Sequence, residues 1–138
     1  MSLHVVIDTN VIVSAMITPH PNASTVQVMR AISQEKIIPV YNEEIIAEYD
    51  EVLHRPQFNL LKPVVASTIK SIVKLGINVS RTESKEKFVD LKDLVFYEVA
   101  LAKKGSYLVT GNLKHFPKSP IVVTPNELLM MLTENAYQ

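Results

Sequence analysis

The chain has no cysteine and no tryptophan, and only three glycines among its 138 residues. Without cysteine there are no disulfides, no thiolate metal sites and no cysteine nucleophile. That absence fits a reducing cytosol, and a cytoplasmic location is expected. There is no excess of either charge. Lys and Arg number 14, Asp and Glu 14, which argues against a domain held on nucleic acid by bulk positive charge and leaves room only for a local basic patch. No apolar run approaches the roughly 18 residues that cross a bilayer. The N-terminus has no basic leader segment, and Asp8 interrupts its apolar stretch, so a signal peptide is not expected. Internal repeats and low-complexity tracts are also missing. Hydrophobic residues make up 47% of the chain, enough for a core, and the length suits a single domain over 1–138.

Short apolar runs alternate with helical patterns. His4–Ile7 is a short, β-branched, almost wholly apolar run, as in a strand buried on both faces. Ile37–Val40 is a second such run, and Pro39 within it predicts a strand end or an edge position. Ile77–Val79, Tyr107–Thr110 and Ile121–Val123 are further strand candidates. Helices are predicted over about 24–34, 43–54, 62–75 and 91–103, with another starting at Thr124. Asn42 caps the second, Pro63 opens the third, and Gly76 and Gly105 close the third and fourth. Thr124-Pro125-Asn126-Glu127 is a capping box with proline at the first helical position. Val11–Val13 reads only as resumed apolar character, and Ser80–Lys87 as loop. The order β-α-β-α-α-β-α-β-β-α predicts a parallel, doubly wound α/β sheet. Leu128–Leu132 is apolar around most of a turn. It either buries entirely against the sheet or leaves a face for a partner, and a homodimer is expected there.

In such sheets ligands bind beyond the carboxyl ends of the strands. The polar residues standing there are Asp8 and Asn10 after the first strand, and Thr110, Gly111 and Asn112 after Tyr107–Val109. Asp8 follows an apolar run directly, where an unpaired carboxylate is costly. It either caps the next turn or faces a cation or a set of N–H donors. On the helix over 43–54, Glu48 borders the apolar stripe and Glu44 is the second choice. Glu43, Asp50 and Glu51 read as a solvated face. At the start of the next-but-one helix Asp90 reads as a cap, and Asp93 is the better ligand candidate. Acids converging from separate elements suit a hard dication such as Mg²⁺ or Mn²⁺. The four histidines, His4, His20, His54 and His115, lack zinc-site spacing.

VVIDTNVIVSA at 5–15, NEEIIAEYDEVLHRPQF at 42–58, DLKDLVFYEVALAKKGSYLVTGN at 90–112 and LKHFP at 113–117 together resemble the PIN-domain family. Within that family the chain is most similar to the VapC-like toxins of toxin–antitoxin systems. The resemblance runs over nearly the whole chain. It implies an α/β/α sandwich around a parallel sheet, and a Mg²⁺- or Mn²⁺-dependent endoribonuclease leaving 5′-phosphate and 3′-hydroxyl ends. It places the acidic cluster on Asp8, Glu48 and Asp93, as metal ligands and catalytic residues, with Asn10, Thr110 and Ser14 in support. The family's fourth acid falls on Asn112, an amide, and Leu94 stands where relatives often carry another acid. One well-occupied metal site is therefore expected, with low activity. The implied partners are RNA and a small antitoxin protein covering the site. Arg55, Lys92, Lys114, His115 and Lys118 are candidate phosphate contacts, and Phe116 a candidate base-stacking ring. Two other readings compete. One is an RNA- or partner-binding module without cleavage. The other is a phosphatase with Asp8 as nucleophile, which lacks the second acid that chemistry wants at position 10.

Overall fold

A computed structural model describes residues 2–136, with the side chains of the last two left out. The elements run β1 (Leu3–Ile7), α1 (Thr9–Ile17), α2 (Ser24–Ser33), β2 (Ile37–Tyr41), α3 (Glu43–Leu53), α4 (Lys62–Leu75), β3 (Ile77–Asn78), α5 (Leu91–Ala102), β4 (Tyr107–Val109), β5 (Val122–Val123) and α6 (Pro125–Ala136). Single 3₁₀ turns lie at Pro56–Phe58 and Leu113–His115. The five strands form one sheet in the order β3-β2-β1-β4-β5, every pairing parallel. Helices flank the sheet as an α/β/α sandwich. The helix α5 packs across β1, β2 and β4, while α2 and α4 pack on β2 and α2 on α6.

The β1 strand is central because its sequence permits nothing else. Val5, Val6 and Ile7 are successive, so they point to alternate faces, and all three are buried. That requires cover on both sides of the sheet. The chain steps outward from β1 through β2 to β3, then returns across the sheet to β4 on β1's other side. The order reverses between β1 and β4, and in open α/β sheets that reversal opens a crevice at the strand ends.

Two local features depart from the sequence reading, and a third bears on the alternatives it leaves open. First, residues 9–17 are a helix, where the sequence reads only as resumed apolar character. TNVIVSAMI is apolar nearly all round, so it shows no 3.6-residue period. Burial of Val11 and Ile12 overrides its β-branched content. Second, Pro39 lies mid-strand in an interior strand, paired with Val5. The sheet tolerates it because β3 is only two residues long and first meets β2 at Val40, so no β3 residue is paired with Pro39. Third, α6 places Leu128, Leu129, Met131 and Leu132 against the core and leaves Met130 63% exposed. Most of the apolar surface expected to need a partner is thus covered by the chain itself. No helix among the described residues is long and apolar enough to cross a membrane.

The predicted caps are in place. The Asn42 side chain accepts from the Ile45 N–H, that of Asp90 from the Lys92 N–H, and Thr124 and Glu127 exchange both bonds of the capping box. Gly105 takes a left-handed φ of 84° in the turn that follows α5, whose C-cap is Lys103.

Candidate active site

The crevice between the ends of β1 and β4 is where the acids meet. The Asp8 N–H donates to the Val109 carbonyl at 3.0 Å, extending the β1–β4 pairing to the first polar residue. The Asp8 carboxylate is therefore fixed at the core's edge. The hydroxyl of fully buried Thr110 donates to Asp8 Oδ2 at 2.7 Å. The Asn112 N–H donates to the same Thr110 oxygen at 3.0 Å, which orients that hydroxyl toward Asp8. Burial still pushes the Asp8 carboxyl above its ordinary value. The hydrogen bond from Thr110 opposes this, and the charge of Glu48 adds to it.

The helix α3 carries Glu48 into the same place. The Thr9 hydroxyl donates to Glu48 Oε2 at 3.1 Å, so α1 sets the glutamate's orientation. Behind both, the buried Tyr49 hydroxyl donates to the Ile7 carbonyl, locking α3 to the end of β1. The first turn of α5 supplies Asp93. Its carboxyl is raised from 3.8 to about 6, first by burial and then by the charges of Asp8, Asp90 and Glu48, with His115 pulling the other way.

Asp8, Glu48, Asp93, Asn10 and Ser14 all line one open cleft of about 530 Å³. Asn10 holds the Gly111 N–H at 3.3 Å, and the Ser14 hydroxyl lies 3.3 Å from that of Thr25. Of the expected phosphate contacts, Arg55, Lys92 and His115 line this cleft. Lys92 Nζ stands 3.9 Å from Glu48 and 3.7 Å from Glu51. Lys114 lines a neighbouring hollow that shares Asp93 and His115 with the cleft, and Lys118 lines neither. Phe116 is not a stacking ring. It is 7% exposed and meets Phe88 edge-on, with ring centroids 5.9 Å apart, because the turn after β4 folds it into the core. The aromatic that does border the cleft is Phe58, in the turn after α3, with Val13 and Ile17 beside it.

Asn112 engages His115 rather than the cleft. Its amide nitrogen lies 2.9 Å from His115 Nε2 and can only donate, so that ring nitrogen accepts. The proton of a neutral ring then sits on Nδ1, which is 3.4 Å from Asp93 Oδ2. Asp90 serves as the α5 cap, and Glu44 is drawn away from the cleft by Arg81. Sequence reasoning missed Arg81, Glu98 and Phe58. The signal for Glu98 was present: it is the one acid inside the apolar run LVFYEVALA, and a charge is rarely buried unless paired.

The donor set fits a hard dication in kind: three carboxylates from three elements, facing one solvent cleft, with Asp8 and Asp93 raised by burial and by the charges of their neighbours. Among the described residues no three His, Asp or Glu side chains are gathered into a ready metal cage. An ion here would draw on these carboxylates together with water and substrate oxygens, the usual habit of Mg²⁺.

The family described as PIN domain matches the chain over residues 4–114. No curated protein and no solved structure matches it.

Proposed function

The chain belongs to the PIN domain family, whose members are generally nucleases acting with divalent metal ions, and from that premise we propose that it is a metal-dependent endoribonuclease. Asp8, Glu48 and Asp93 are its catalytic residues and ion ligands. The observation that carries the reading is electrostatic. Three acids with raised or mutually repelling charge line one cleft at the reversal of strand order. A fold gains nothing in stability from that arrangement, whereas a bound dication would relieve it.

A Mg²⁺ or Mn²⁺ ion supplies positive charge at a phosphoryl oxygen and makes hydroxide available near neutral pH. The chain's own groups do the rest. Thr110 holds Asp8 in one orientation and favours its ionised form, and Thr9 orients Glu48. Arg55 and Lys92 bind the phosphates on either side of the scissile bond, and Phe58 gives a base a face on which to stack. His115, with its proton on Nδ1, keeps one face of Asp93 occupied and so restricts its rotamer.

RNA cleavage in the presence of Mn²⁺ tests this. Asp8→Asn and Asp93→Asn should each lose about a hundredfold or more in rate. Equal cleavage by all three proteins would mean a contaminating nuclease and would sink the reading. The physiological role proposed is that of a toxin, with a small antitoxin protein whose segment covers the cleft. Neutralisation of growth arrest by a co-expressed neighbouring small gene checks it. One observation favours the binding-module alternative. Asn112 brings no charge, and its amide is committed to His115. Failure of millimolar Mn²⁺ to bind would select that alternative.

A further inference from the structure

Arg81 lies in the irregular segment between β3 and α5, which the sequence marks only as loop. Its guanidinium spans two helices. Nη1 donates to both carboxylate oxygens of Glu44 on α3, at 3.0 and 2.9 Å. Nε donates to Glu98 Oε1 on α5 at 2.6 Å. The other Glu98 oxygen accepts from the Ser84 N–H at 2.6 Å. Glu98 is 4% exposed, so its charge depends on this pairing. The two carboxylates that Arg81 joins lie on the same two helices as Glu48 and Asp93. Glu44 is one turn before Glu48 on the same helix face. Glu98 is about one and a half turns beyond Asp93. The other cation between these helices, Lys92, is more than half exposed and makes only long contacts. It cannot brace them comparably.

We propose that Arg81 is a positioning residue of the metal site, bracing α3 against α5 and so setting the separation of Glu48 and Asp93 on which dication affinity depends. This rests on the reading of Asp8, Glu48 and Asp93 as ion ligands. The planar fork is essential to the role. Arginine reaches Glu44 from Nη1 while Nε and Nη2 hold Glu98, whereas lysine has one nitrogen and keeps the charge without that span. Residues that bond metal ligands directly change metal affinity by about 10–100-fold when replaced, and Arg81, acting one contact further out, is expected at the lower end of that range.

The test measures Mn²⁺ dissociation constants, from the paramagnetic resonance signal of free Mn²⁺, and thermal midpoints on the full chain. Arg81→Lys should weaken Mn²⁺ binding about tenfold while conserving every charge. Arg81→Met should weaken it at least as much, although removing a cation beside an acidic site would by Coulomb attraction alone tighten it. Affinity in Arg81→Lys within about twofold of wild type, or tighter binding in Arg81→Met, overturns the proposal and leaves Arg81 a purely structural residue. Should Arg81→Met not fold, Glu44→Gln against Glu51→Gln decides the same point. Each removes one charge from α3, but only the first cuts the bridge, so equal effects overturn the brace. Asp8→Asn separates the two readings. Mn²⁺ binding that this substitution leaves unchanged overturns the ligand assignment, and the brace with it.

Discussion

Asp93→Asn should make the metal-free protein more stable at neutral pH while abolishing its activity. The carboxyl is raised from 3.8 to about 6 in the fold. A carboxyl whose pKa is higher in the folded than in the unfolded chain binds its proton more tightly when folded. Its contribution to stability is therefore complete below pH 3.8 and is lost as pH rises through about 6. The shift is about two units, an upper bound of about 3 kcal/mol at 1.36 kcal/mol per unit. Water reaches this carboxyl, and screening reduces the figure to roughly 1 kcal/mol. For a domain of this size that is a rise of about 4 °C in the thermal midpoint. Melting wild type and Asp93→Asn in EDTA across the pH range is the assay. The two curves should coincide near pH 4, where Asp93 is protonated and resembles the amide, and separate progressively toward pH 7.5. Adding Mn²⁺ should then raise the midpoint of wild type and leave the variant nearly unmoved. A variant less stable than wild type at neutral pH, or a gap independent of pH, would refute the electrostatic argument for the cleft.

Other consequences are equally accessible. Thr110→Val removes the donor that favours the charged form of Asp8, worth about 1.5–3 kcal/mol. Asp8 should then titrate higher still, so that the acid limb of the Mn²⁺-supported cleavage rate moves to higher pH and the loss of stability in urea is larger at pH 7.5 than at pH 4. Gly76→Ala places a methyl group against the Pro39 carbonyl and 2.7 Å from that of Ile72. Neither backbone can yield cheaply, so a cost of about 2 kcal/mol in chemical denaturation is expected. Phe58→Ala should weaken binding of a non-cleavable RNA about 5- to 150-fold, from the roughly 1–3 kcal/mol of one stacked base, with little change in melting. Phe116→Ala should do the reverse, destabilising the fold by about 3 kcal/mol or more. Melting and fluorescence anisotropy on the same two proteins check both halves.

The elements legible in the sequence were those with a local cause. Asn42, Asp90 and the Thr124–Glu127 box cap helices because their side chains reach N–H groups two or three residues on, an interaction written in consecutive residues. The central strand was legible because three successive apolar residues can be buried only in a sheet covered on both faces. What failed lacked a local signature. The α1 helix has no apolar period, and Pro39 escapes the edge-strand rule because of the length of a strand thirty-eight residues away. Phe116 and Phe58 are each a lone aromatic in a polar turn. Which of them faces the cleft depends on how each turn meets the core.

The sequence by itself determined the order of elements apart from α1, the parallel sheet, and the acids at the first polar position after β1 and in the first turn of α5. Local spacing and the rule that strand ends form the binding edge suffice for that. Only the tertiary structure decided that Asp8, Glu48 and Asp93 share one cleft, that Glu44 leaves it for Arg81, and that Asn112 turns to His115. Those outcomes depend on distances between residues tens of positions apart. Such distances are fixed by the packing of α3 and α5 against the sheet and not by any pattern along the chain.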